Sequence, residues 1–192
     1  MPRQAGSSLS SQTLAVRNSS RLIRNAKPMQ IDRHALSQMN DEDLEQALLA
    51  LVFAKLKTMP NDAVEAIASL PGGFRPYYVS WLVEAEVLNG GFHQFFWNPS
   101  SDFADDAVEA FRTIGDQATA EIMSQALEAA LAELPETAKF MKTGTLEAFS
   151  QSANRSNLGA FDEAFYERAP ALPGLRARFF RANSHLFVAE RQ

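Results

Sequence analysis

The chain has 192 residues, 46% of them hydrophobic, which suits one domain with a real core, and its formal net charge is −5. It has no cysteine, and this excludes disulfides, thiolate metal sites and thiol nucleophiles together and makes a cytoplasmic address natural. No apolar run reaches the roughly 18 residues of a membrane helix, so the sequence predicts a soluble protein without a membrane partner.

Charge divides the chain. Residues 1 to 39 hold six basic residues against Asp32 alone, while residues 40 to 192 hold twelve basic and twenty-two acidic residues, a net of −10. Residues 1 to 38 are expected to be a disordered or weakly ordered Ser- and Arg-rich tail, the first 28 having no acidic residue and ending in Asn25-Ala26-Lys27-Pro28. The same composition fits a targeting segment, and Met29 offers an alternative start. Residues 39 to 192 are expected to form a compact, all-α, multi-helix acidic domain, since no segment alternates with the Val, Ile and Thr enrichment of a half-buried strand.

Asn40-x-x-Asp43 reads as a capping arrangement for a helix striped by Leu44, Leu48, Leu51, Val52 and Leu56, ending near Met59-Pro60. Asn61 is the expected cap of a short helix through Leu70, and Pro71-Gly72-Gly73 breaks the chain. The next helix repeats apolar residues at Tyr77, Tyr78, Trp81, Leu82, Ala85 and Leu88 and is expected to stop at Asn89-Gly90, with Gly90 in the left-handed position. Further helices are predicted over Ser101 to Gly115, over Gln117 to Leu134 with Pro135 as its stop, over Leu158 to Arg168, and from Pro173 to Val188. Ala118, Ile122, Ala126, Ala130 and Leu134 are the expected buried stripe of the second of these.

The segment Asn89-Gly90-Gly91-Phe92-His93-Gln94-Phe95-Phe96-Trp97-Asn98-Pro99 concentrates glycines, aromatics and side-chain amides. It supports two readings: a corner plugged by Phe92, Phe95 and Phe96, or a polar site built on Asn89, Gln94 and Asn98. In the following segment Phe103, Ala107, Ala110, Phe111 and Ile114 make an apolar stripe, and Asp102, Asp105, Asp106 and Glu109 an adjacent carboxylate stripe at helical spacing. Four charges over seven helical steps give about one per 3.5 Å, against about one per 3.4 Å along one DNA strand. A solvated helix face with acids at its positive end accounts for the same pattern.

Catalytic constellations are sparse. His34, His93 and His185 stand apart from any His-x-x-x-His or Glu-x-x-His pair, and Glu84 and Glu86 point about 200° apart on a helix, so neither a metal nor a cofactor is expected. Phosphate-loop and nucleophile-elbow glycine patterns are absent from the sequence.

Glu84-x-Glu86-Val87-x-Asn89-Gly90-Gly91-Phe92-x-Gln94-Phe95-Phe96-x-Asn98, with Ile114-Gly115, Leu158-x-x-Phe161-Asp162-x-x-Phe165-Tyr166 and Phe179-x-x-x-Asn183-x-x-x-Phe187, resembles the DNA-mimic protein domain family, long catalogued as a domain of unknown function. The resemblance runs from about Pro71 to Val188 and implies an all-α homodimer with a mainly structural motif. It further implies a non-catalytic acidic surface that imitates duplex DNA and occupies the DNA-binding face of a transcription factor or other basic DNA-binding protein, without binding nucleic acid itself. The alternative is a small-molecule or enzyme site at the Gly90-Gly91 corner using Glu84, Glu86, His93, Gln94 and Asn98. An exposed carboxylate surface over buried amides separates the first reading from an open pocket lined by Gln94 and His93.

Overall fold

A computed structural model describes residues 32–188. The basic tail up to residue 31, with its targeting and Met29 readings, lies outside them. Among the described residues every regular element is helical, as the periodicity predicts.

The first helix, α1 (Arg33–Ser37), falls within the segment assigned to the tail. Asp32 caps it by accepting the His34 and Ala35 amides, and Leu36 is buried in the core. Asn40 caps α2 (Asp41–Leu56) through a 2.8 Å bond from the Asp43 amide, and Leu44, Leu48, Leu49 and Val52 form its buried face. The cap of α3 (Ala63–Ala68) is Asp62 and not Asn61: its carboxylate accepts the Glu65 amide at the positive end of the helix dipole.

Helix α4 (Phe74–Trp97) is the hub of the domain. Its start is sealed by a 3₁₀ turn at the other end of the chain (Ser184–Phe187). The Gly73 amide donates to Leu186 O at 2.9 Å, and a Cβ on Gly73 would sit 2.7 Å from the Phe187 ring. Tyr77, Val83 and Val87 are fully buried along its first half. The regular helix stops at Asn89-Gly90 as expected: Gly90 and Gly91 leave helical geometry and kink the chain, which then resumes a helical course to Trp97.

After α4 a 3₁₀ turn (Pro99–Phe103) leads into α5 (Ala104–Thr113). Phe103, Ala107, Ala110, Phe111 and Ile114 are all buried, so the apolar stripe stands as read. Gly115, at φ 90°, ends α5 in a Schellman arrangement, its amide donating to Arg112 O and the Asp116 amide to Phe111 O. Asp116 then caps α6 (Gln117–Met141) by accepting the Thr119 amide.

Two expectations for α6 are corrected. Pro135 lies inside the helix and does not end it. The buried face runs through Thr119, Ala120, Met123 and Ala126; of the expected stripe Ala126 is buried and Ile122 and Ala130 pack against the core, while Ala118 and Leu134 are exposed. Thr145 caps α7 (Leu146–Ala153), followed by α8 (Gly159–Arg168) and α9 (Leu172–Ala182). Asn183 leaves helical geometry, which splits the helix expected from Pro173 to Val188 into α9 and the closing 3₁₀ turn.

Candidate functional site

The kink in α4 puts the sequence motif to work. Gly90, at φ −161°, is in extended backbone that any residue adopts; Gly91 carries the constraint, at φ 75° and ψ 178°, a conformation essentially reserved for glycine. This corrects the left-handed assignment of Gly90. Gly90 is a close-approach position instead, where a Cβ would collide with the Gln94 amide, and a Cβ on Gly91 would collide with the Asp162 carboxylate.

Breaking the helix frees backbone N–H groups, and Asp162 of α8 captures one of them by accepting the Phe92 amide at 2.8 Å. Phe92 and Phe95, both fully buried, anchor the resumed helix, with Phe92 edge-on to Phe165. Burying two such rings contributes roughly 3 to 6 kcal/mol. Each helical hydrogen bond lost at the kink costs only about 1 kcal/mol. Burial therefore holds the corner. It also raises the Asp162 pKa, against the opposing pull of the Phe92 amide.

The motif amides close on one carboxylate. Gln94 Nε2 and Asn98 Nδ2 donate to Glu86 Oε2 at 2.8 and 2.9 Å, and Asn89 Nδ2 donates to Gln94 Oε1 at 3.0 Å. Glu84 points the other way, as the helix angle requires. There Arg176 of α9, with no exposed surface, lies 2.6 Å from Glu84 and 2.7 Å from Glu45 of α2. Burial nevertheless raises the Glu84 pKa, outweighing the attraction of Arg176. Reading the residues one by one gave no role to Arg176, Glu45 or Ser152, and it placed Asp162 in a late acidic patch with Glu163 and Glu167 and not at a helix break.

His93 is buried. Its Nε2 sits 3.1 Å from Ser152 Oγ, its Nδ1 has no protein partner, and its ring packs against Trp97 and Phe149, which also touch each other. Desolvation lowers its pKa, opposed by the charges of Glu133 and Asp162. Beside it lies a groove of roughly 330 Å³ lined by Gln94, Trp97, Asn98, Gly144, Thr145, Leu146 and Phe149. The groove takes in Gln94 and Asn98 but neither Glu84 nor His93, and both amides are already engaged by Glu86. The five polar groups of the corner reading therefore do not converge on one opening.

The acidic stripe does not lie on a single α-helix, because Asp102 belongs to the preceding 3₁₀ turn and only Asp105, Asp106 and Glu109 to α5. The axial spacing of an unbroken α-helix does not apply across that junction. Asp102, Asp105 and Glu109 are exposed. Asp106 is half-buried and paired with Arg75 at 2.6 Å, and Glu109 has a looser partner in Arg112 at 3.6 Å. Helix α6 packs against both α5 and α8. Their exposed residues add Glu121 and Glu128 of α6 and Glu163 and Glu167 of α8. Among the described residues there is no group of three His, Cys, Asp or Glu side chains that could hold a metal ion, and no helix long and apolar enough to cross a membrane.

Fold and charge thus define an all-α acidic domain with two kinds of carboxylate, one set bound into the interior and one presented on the outside. The chain belongs to the DMP19-like protein family, whose model matches residues 68–183. No curated protein and no solved structure matches it.

Proposed function

We propose that this protein imitates DNA without catalysing a reaction: its outer carboxylates occupy the DNA-binding face of a basic protein, a transcription factor or nucleoid protein of the cytoplasm, and block that protein's access to DNA. The observation that carries this reading is the exposed set Asp102, Asp105 and Glu109, backed by exposed acids on α6 and α8, in a body where residues 32–188 hold twenty-two acidic against twelve basic residues. Asp106 stands behind this set with its charge compensated by Arg75. Such a surface steers basic partners toward it and repels nucleic acid. The family relationship supports the same reading.

Competition tests it. A captured DNA-binding partner should release its operator DNA as this protein is added, and the release should weaken as salt rises through the range where surface charges are screened, a Debye length of about 8 to 10 Å. Changing Asp102, Asp105 and Glu109 to Asn or Gln keeps side-chain shape and removes three charges, so displacement of DNA should fall while helicity stays the same. Undiminished displacement by that variant would reject the reading. The corner reading has one observation in its favour, the groove beside Gln94 and Asn98, which a ligand would have to enter without breaking the Glu86 network.

A further inference from the structure

One cation on the acidic face comes from a different helix. Arg75, in the first turn of α4, places Nη2 2.6 Å from Oδ2 of Asp106 in α5, 31 positions away in the chain. The contact uses one atom on each side. Among the described residues neither Oδ1 of Asp106 nor Nε and Nη1 of Arg75 has a hydrogen-bond partner. Arg112, the other arginine beside these acids, belongs to α5 itself and lies 3.6 Å from Glu109. Stability gives little reason for the longer-range pair: the two side chains are 37% and 33% exposed, and an ion pair exposed to that degree adds little to folding.

The pair matters more for what the face offers another molecule. Asp102, Asp105 and Glu109 present exposed carboxylates, whereas Asp106 keeps a free oxygen whose charge Arg75 already offsets. An arginine or lysine brought to that oxygen meets the Arg75 guanidinium on the other side of the same carboxylate, and like charges so close repel. A serine or threonine hydroxyl, an asparagine or glutamine amide, or a backbone N–H meets no such repulsion. DNA-binding proteins hold phosphates with both kinds of donor. A body of net −10 draws in any polycation, so a preference among basic partners needs a point at which some of them are turned away.

We propose that Arg75 is a specificity-determining residue of the acidic face: it reserves Asp106 for a neutral hydrogen-bond donor of the basic partner and excludes an arginine or lysine at that point. This role rests on the mimic reading above, but its test does not need the partner. Two peptides carrying the same number of arginines, poly-arginine and alternating Arg-Ser, are titrated into the full chain at low salt. Arg75→Met should tighten poly-arginine binding about two- to five-fold, the range of a surface charge pair, and Arg-Ser binding by less, with helicity unchanged. Arg75→Lys keeps the charge and should retain the wild-type ratio of the two affinities. Lys142→Met removes one charge from the end of α6 and should leave that ratio unchanged. Asp106→Asn added to Arg75→Met should abolish the gain. Equal gains for both peptides, a shift in the ratio from Lys142→Met, or a gain that survives without Asp106 would overturn the assignment. A captured partner that keeps its operator DNA when the wild-type protein is added would count against the mimic reading alone, since the peptide ratios report on Arg75 by themselves.

Discussion

The carboxylates around α4 and those on α5 differ in one physical respect, which is whether the protein has already engaged them. Glu84 is held against a fully buried arginine, Glu86 takes two amide donors, and Asp162 caps a broken helix. On α5 only Asp106 has a close partner, while Asp105, and Asp102 in the 3₁₀ turn before it, are exposed with no ion pair among the described residues. A count of acidic residues mixes the two groups. The fold sorts them into charges that hold it together and charges left for another molecule.

The sharpest way to break this contrast is at Arg176. Arg176→Met should destabilise the domain by about 3 to 5 kcal/mol, measured by urea denaturation, because Glu84 and Glu45 keep their buried charge and lose its partner. A loss under 1 kcal/mol would show that the pair is solvated. Next come Gly91→Ala and Asp162→Ala, each costing about 1 to 3 kcal/mol, the first through backbone strain and the second by orphaning the Phe92 amide. Both disrupt the same contact, so the double variant should cost less than the sum of the two. Strict additivity would mean that Gly91 matters for a different reason.

His93 provides a smaller effect with a defined pH window. Its folded pKa lies below the unfolded value of 6.5, so the unfolded chain takes up the proton first and stability falls as pH drops below about 6.5. His93→Gln should flatten the decline in melting temperature between pH 7.5 and 5.5 relative to wild type, and an equal decline would place the titration elsewhere. Asp106→Asn should cost under about 1 kcal/mol, since the pair with Arg75 is about a third exposed on both sides and solvent screens it.

How much could be read in advance follows the same division. The all-α architecture, the Asn40 cap, the α5 apolar stripe and the Gly115 helix end were legible because each depends on neighbours within a few residues. Breaker residues were legible only in part: Pro71-Gly72-Gly73 and Gly90-Gly91 interrupt the helices as read, and Pro135 does not. Gly90-Gly91 kinks α4 because Asp162 and the Phe92 and Phe95 rings stabilise the broken form, whereas Pro135 leaves α6 helical. The outcome depends on what lies across the fold. The same holds for Gln94 and Asn98, whose spacing suggested a polar site and whose donors are taken up by Glu86.

Arg176 also bears on where this domain begins. Its Glu45 partner lies 131 positions earlier in the chain, and Arg181 donates to Asp41 across 140. Both acids precede the family-matched span of residues 68–183, and Phe187, which seals the start of α4, follows it. A chain trimmed to the matched span would keep Arg176 and Arg181 without these counter-charges and would leave Phe74 without the ring that covers it. The span that the family model matches is therefore smaller than the unit that folds, and α2 belongs to the second as firmly as the motif belongs to the first.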